Sequence, residues 1–180
     1  ATGDGLVSDY EKKIVAAAAA AAKATNIPVL SHTENCTCGH DQIDIVTGQG
    51  VSADHLLVGH SDGTDDMAYQ ESLAERGVYV GFDRFGIEVI VPDETRMTCL
   101  KNLVDKGYRD QLMMSHDTVN CLMGGLAGVP PGTNPEDILP NWRMTHIFER
   151  IIPELKSRGM TDEDFDVILK DNPSRFFTIG

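Results

Sequence analysis

Residues 56–66, reading LLVGHSDGTDD, constrain this chain more than any other stretch. An apolar run passes straight into Gly59-His60-Ser61-Asp62, and a Gly63-Thr64-Asp65 turn then opens a helical pattern. A short apolar run without alternation is the mark of a strand buried on both faces, as in a parallel sheet. The polar turn after it carries helix-start residues. The same construction recurs: IPVLSHTEN places His32 after an apolar run, VYVGFDRFG places Asp83 and Arg84, and QLMMSHDT places His116 and Asp117. One such marker falls in each stretch of about 30 residues, the length of a βα unit with its crossover. Polar side chains at the carboxyl ends of successive parallel strands describe the catalytic face of a (β/α)8 TIM barrel. A complete barrel needs roughly 250 residues, and here a helix opens the chain with no strand before it. Residues 1–180 are therefore expected to supply the last four βα units. They would form the C-terminal half of a single barrel domain whose N-terminal half is absent from this sequence.

Capping and turn signals set the expected boundaries. Ser8-Asp9-Tyr10-Glu11 reads as a capping box, and the alanine-rich stretch after it predicts a helix ending near Asn26, with Pro28 closing it off. Strands are expected at 28–31, 56–59, 78–82 and 111–115, and helices at 41–50, 65–76 and 93–106, the last two closed by Gly77 and Gly107. In the loop GIEVIVPDE, Ile87, Val89, Ile90 and Val91 are expected to be exposed, as a wall for substrate or partner. The prolines and glycines of 118–140 forbid regular structure, and so long a loop is either functional or disordered. Beyond it, 142–158 predicts a helix kinked by Pro153, 161–170 a last helix, Asn172-Pro173 a closing turn, and 163–166 a solvated acidic face.

His32, His60 and Asp117, in register on three units, suit a divalent metal, above all zinc, because imidazole and carboxylate supply nitrogen and oxygen donors on rigid strands. Asp117 could also accept the proton of a metal-bound water as that water attacks an electrophile. His116 points the other way by strand alternation and reads as structural. Asp62 returns to the side of His60; it either accepts a proton relayed from Asp117 or caps the following helix. Arg84 is either half of an ion pair in the rim or a fixed cation orienting the substrate, and its level with the ligands favours the second. Cys36, Cys38 and His40 share one loop, yet structural zinc sites use C-x2-C pairs with a second pair elsewhere, so this loop is not read as a metal site. His40, His55 and His146 have no comparable context and read as structural.

A formal net charge of −13 argues against nucleic acid or anionic membrane as partner. No apolar run approaches the roughly 20 residues that span a bilayer, and no stretch reads as a signal peptide. Cys36, Cys38, Cys99 and Cys121 are expected to be reduced thiols, which places the protein in the cytoplasm.

SHT at 31–33, GHSDGTDD at 59–66, GFDRFG at 81–86, SHD at 115–117 and the C-terminal NW, HIF, IIP and DNPSRFF together resemble the phosphotriesterase family. Within it, the chain is most similar to the phosphotriesterase-like lactonases of the amidohydrolase superfamily. The resemblance implies a metal-dependent barrel with two divalent ions, zinc first and cobalt, manganese or iron as alternatives, bridged by a carboxylated lysine. It implies that His32 and His60 hold the more exposed ion and Asp117 the buried one. The first-strand His-x-His and the lysine would lie upstream of this sequence. Asp83-Arg84-Phe85-Gly86 is similar to the lactonases, whereas efficient phosphotriesterases carry histidine in place of the arginine. The implied activity is opening of lactones such as acyl-homoserine lactones, with organophosphate triesters as a side activity; Asp117, Asp62 and Arg84 are the residues expected, from their placement at the strand ends, to carry it. The alternatives are a primary phosphotriesterase, an amide or carbamate hydrolase, and a non-catalytic barrel. The implied partners are a small lactone or organophosphate and a second copy in a homodimer.

Overall fold

The computed structural model describes residues 1–119, 130 and 132–178, so residues 120–129 and 131 of the long loop, with Cys121 among them, lie outside the described residues. Strands β1 (Val29–His32), β2 (Leu56–Gly59), β3 (Tyr79–Phe82) and β4 (Leu112–Met114) form one parallel sheet in chain order. Helix α1 (Asp9–Thr25) precedes β1, and α2 (Gly39–Gly48), α3 (Met67–Glu75) and α4 (Asp93–Asp105) occupy the three crossovers. The register couples Val29 to Leu56, Leu57 to Tyr79 and Val80 to Leu112.

Strands β2, β3 and β4 are buried on both faces, which is why their sequences lack alternation, whereas Leu30 on β1 is 57% exposed. Leu56, Val58, Val80, Phe82, Leu112 and Met114 face the helices and pack with Val15, Ala19, Ile43, Leu73, Leu100 and Leu103. Burying each leucine-sized side chain there contributes roughly 1.5–3 kcal/mol. The intervening Leu57, Tyr79 and Met113 face the other side and meet Phe176. Helix α1 begins as expected: the Glu11 carboxylate accepts the Ser8 N–H at 2.7 Å, Ser8 Oγ accepts the Glu11 N–H, and Asn26 ends the helix with φ 58°. Alanines at 19 and 22 are buried against the sheet.

The C-terminal region departs from the expected single kinked helix. The backbone turns through residues 141–145, runs as a π turn at Ile147–Ile151, and continues as α6 (Ile152–Ser157), after a short α5 (Pro135–Ile138) inside the long loop. A second π turn, Val167–Asp171, joins α7 (Asp162–Asp166) to α8 (Asn172–Phe177), so Asn172-Pro173 starts a helix where a closing turn was expected. Pro153 and Pro173 each occupy the first turn after a π turn. A proline lacks its N–H and its ring collides with the carbonyl four residues back; the wider turn carries the ladder past it, with Ile152 N–H bonding to Ile147 O and Asn172 N–H to Val167 O. Two surface expectations also change. Ile87 is buried while Val89 and Ile90 stay exposed, and within 163–166 Phe165 is buried and Asp164 pairs with Arg109 at 3.0 Å. Among the described residues no helix is long and apolar enough to cross a membrane.

Gly86 and Gly107 share a left-handed φ, +92° and +90°, yet a Cβ on Gly86 would sit 2.2 Å from Asn141 O whereas one on Gly107 would meet open space. Gly107→Ala is expected to cost about 1 kcal/mol of conformational strain, and Gly86→Ala at least about 2 kcal/mol more. Urea unfolding of the two variants side by side checks this; equal losses would mean that the Asn141 backbone moves freely.

Candidate active site

At the carboxyl end of the sheet, His32 closes β1 and His60 follows β2, with their rings edge to face and centroids 4.4 Å apart. His60 takes φ 60°, a region non-glycine residues seldom enter. Asp83, just past β3, holds it there: the carboxylate accepts the His60 N–H at 3.0 Å and lies 2.8 Å from Nδ1. With Nδ1 as donor, Nε2 has no hydrogen-bond partner among the described residues and keeps its lone pair. Two glycines make the room. A Cβ on Gly59 would lie 2.3 Å from Ser31 O, and one on Gly81 would lie 2.7 Å from Asp83 Oδ2. Burial alone would lower the His60 pKa; the hydrogen bond and charge of Asp83, helped by Asp117, outweigh it and hold the pKa above the ordinary histidine value. His32 Nε2 lies 3.1 Å from Glu34 Oε2. The ladder carries on to the start of the chain, where Thr2 N–H donates to His32 O at 3.1 Å and Gln42 Nε2 donates to both Thr2 Oγ1 and His32 O.

Arg84 and Asp117 meet across the rim, Nε to Oδ2, at 3.4 Å. Asp117 has φ 52°, the second ligand candidate in left-handed backbone. Asp62 sits underneath, fully buried, where it accepts the Arg84 N–H at 3.0 Å and pairs with Arg96 at 3.0 Å. Its described polar contacts include none to Asp117. Burial, reinforced by the nearby Asp83 charge and opposed by Arg96, pushes its pKa up to about 6. The helix-capping alternative for Asp62 is corrected: Asp66 caps α3 by accepting the Tyr69 N–H, since only Asp66 stands at the helix entry. His116 faces away, as alternation requires; its Nε2 accepts the Ile147 N–H and its carbonyl accepts Trp142 Nε1–H, and burial lowers its pKa.

The layer beneath was not anticipated from the sequence. Arg96, Asp93 and His146 are all buried, with Asp93 3.4 Å from Arg96 and 2.6 Å from His146 Nε2. One signal existed: Arg96 shares an i, i+4, i+7 stripe with Leu100 and Leu103, where a charge must find a buried partner. His146, read from sequence as lacking context, is that partner's partner.

Two imidazoles at this separation, one with its ring fixed by a carboxylate, fit as donors to a single divalent ion. The expected set of His32, His60 and Asp117 does not close on one point, because Asp117 is turned to Arg84, and among the described residues no group of three His, Cys, Asp or Glu side chains could hold a metal. Among the described residues, His32 and His60 are thus the two candidate donors that come together. The Cys36–His40 loop provides none: Cys36 Sγ donates to His60 O at 3.1 Å with its thiol pushed up to about 12 by burial and then by Asp62, and His40 turns to Ser72.

Since the folded pKa of His60 is raised, its pair with Asp83 stabilises the metal-free fold fully below the ordinary value of 6.5 and loses that contribution as the pH rises through the raised value. Asp83→Asn removes the carboxylate charge. The stability gap between wild type and variant is therefore expected to narrow from acidic to alkaline pH, read from urea midpoints in chelator; a gap constant over roughly pH 5 to 9 refutes the pairing. In the complete protein the same variant should weaken divalent metal binding about 10–100-fold by titration.

Comparison with known proteins matches residues 1–177 to the model of the phosphotriesterase family. An aryldialkylphosphatase of Saccharolobus solfataricus is 35% identical over 97% of this chain and 54% of the relative. A phospho-furanose lactonase of Mycoplasmopsis synoviae is 29% identical over 97% of this chain and 48% of its own length. The organophosphorus hydrolase structure from Deinococcus radiodurans superposes with a TM-score of 0.89 at 30% identity, covering 98% of this chain and 54% of that one. The chain spans about half the length of the curated relatives it matches, and its four parallel βα units are those of a TIM barrel. The chain belongs to the phosphotriesterase family.

Proposed function

We propose that these residues are the C-terminal half of one barrel domain of a metal-dependent hydrolase that opens lactones, with organophosphate triesters as a side activity. The observation that carries the reading is the strand-end arrangement itself: His60 fixed by Asp83 beside His32, facing a rim where Arg84 meets Asp117. Relatives named for phosphatase and for lactonase activity share this stretch. Both reactions place an electrophilic carbon or phosphorus, carrying a polarisable oxygen, in front of one nucleophilic water.

His32 and His60 would hold one divalent ion, zinc by its preference for imidazole, and Asp117 would contribute to a second, with a carboxylated lysine and further donors lying outside this chain. Metals held there would supply Lewis acidity toward the substrate oxygen and would lower the pKa of water. Asp117 is suited to take up a proton at its carboxylate, being the half-exposed acid at the rim. Arg84, with its backbone tied to Asp62 and its side chain to Asp117, presents a fixed cation at the edge of the pocket.

In the full-length protein Asp117→Asn is expected to lower kcat/KM for an acyl lactone by at least about 10²-fold, and chelation to abolish turnover. A panel of lactones, aryl dialkyl phosphates and N-acyl amides, assayed with metal analysis, ranks the substrate classes. Full rate in the variant, or a preparation that hydrolyses lactones without bound divalent metal, would sink the reading.

A further inference from the structure

Beneath the rim a chain of buried ionisable side chains joins three parts of the fold. Asp62 follows β2, Asp93 and Arg96 open α4, and His146 precedes the first π turn; none of the four is more than 2% exposed. The contacts run Asp62 to Arg96 at 3.0 Å, Arg96 to Asp93 at 3.4 Å, and Asp93 to His146 at 2.6 Å. Replacing such a group by well-packed apolar side chains is commonly neutral or stabilising, so stability alone does not account for it.

What these side chains grip is one loop. Asp62 accepts the Arg84 N–H, Asp93 accepts the Gly86 N–H at 2.9 Å, and Arg96 donates to Ile87 O at 3.3 Å and to Val91 O. The backbone of residues 84–91 is thereby held at four points from below. At the far end of the chain, the residue after His146 donates its N–H to His116, next to Asp117. Of the rim pair, Arg84 thus has its backbone held directly by this group, while Asp117 follows His116, whose ring accepts the Ile147 N–H.

We propose that Asp62, Arg96, Asp93 and His146 are positioning residues, which set the backbone of residues 84–91 and act on the reaction through the placement of Arg84 against Asp117. The proposal rests on the hydrolase reading for its kinetic part and on geometry alone for its structural part.

The test uses the full-length protein with His146→Leu, His146→Gln, Arg84→Ala and the Leu–Ala double variant. Amide exchange followed by NMR should be at least about tenfold faster at Arg84 and Gly86 in His146→Leu, with α1 amides unchanged. The Gln variant, which keeps a donor toward Asp93, should recover most of the protection. With metal content equal to wild type, His146→Leu should lower kcat/KM about tenfold, and should have no further effect once Arg84 is alanine. Unchanged exchange in 84–91, or losses that add in the double variant, overturns the proposal. A merely structural role would lower stability with kcat/KM per metal-loaded molecule untouched, which also overturns it. If exchange responds while the wild type hydrolyses nothing, the hold on the loop stands and the hydrolase reading falls. Should His146→Leu fail to fold, Asp93→Asn takes its place with the same readouts.

Discussion

The carboxylate of Asp83 is the contact on which the strand-end site depends. It binds His60 twice, through the backbone N–H and through the ring, and so fixes where the residue sits and which nitrogen it offers. Left-handed backbone at a histidine costs on the order of 1–3 kcal/mol, and hydrogen bonds to a charged acceptor contribute roughly 1.5–3 kcal/mol each, so the clamp can offset the strain it imposes. It exists only because Gly59 and Gly81 lie side by side on neighbouring strands, where any Cβ would meet the backbone or the carboxylate itself. A sheet that tolerates two glycines at its working end does so because strands are buried on both faces below them.

The charges separate into two kinds by burial. Surface pairs such as Arg158 with Glu94 at 2.6 Å involve an exposed carboxylate and contribute little to stability. Asp62, Arg96, Asp93 and His146 are withdrawn from water entirely, so each must keep its partner: removing one leaves the others uncompensated at a cost of about 3–5 kcal/mol. The group is therefore rigid by necessity. It underlies the only rim segment that carries a cation among the proposed site residues.

The parallel sheet, the crossovers and the polar strand ends were legible in the sequence because each is a local signal: an apolar run, a cap, a turn glycine. The capping box at Ser8 and Glu11 is read from four residues and found intact. Contacts between distant segments left no such trace. Trp142 was expected in a helix, but its indole donates to the His116 carbonyl, and that tertiary bond overrides local propensity. Pro153 announced a disturbance without revealing that the helix would widen into a π turn to meet it. Ile87 reads as a loop residue yet is buried, its carbonyl drawn inward by Arg96. Asp62 was read as a proton relay or a helix cap, and its full burial against Arg96 was not legible, because periodicity gives direction and not distance from the surface.

Depth also decides what Arg84 can do. The first alternative read from the sequence, a pair within the rim, is present in the structure, and only 12% of the Arg84 side chain is exposed. A guanidinium has five donors in a fixed fork, however, and the Asp117 contact engages Nε alone, end-on and long at 3.4 Å. The terminal nitrogens are not used by that pair. The two alternatives are then one arrangement: Asp117 aims the fork, and the fork is left with donors for an oxygen at the rim. The end-on contact to Asp117 therefore leaves terminal guanidinium nitrogens for a polar atom at the pocket edge, whether that atom is a carbonyl or a phosphoryl oxygen, which is the part proposed for Arg84.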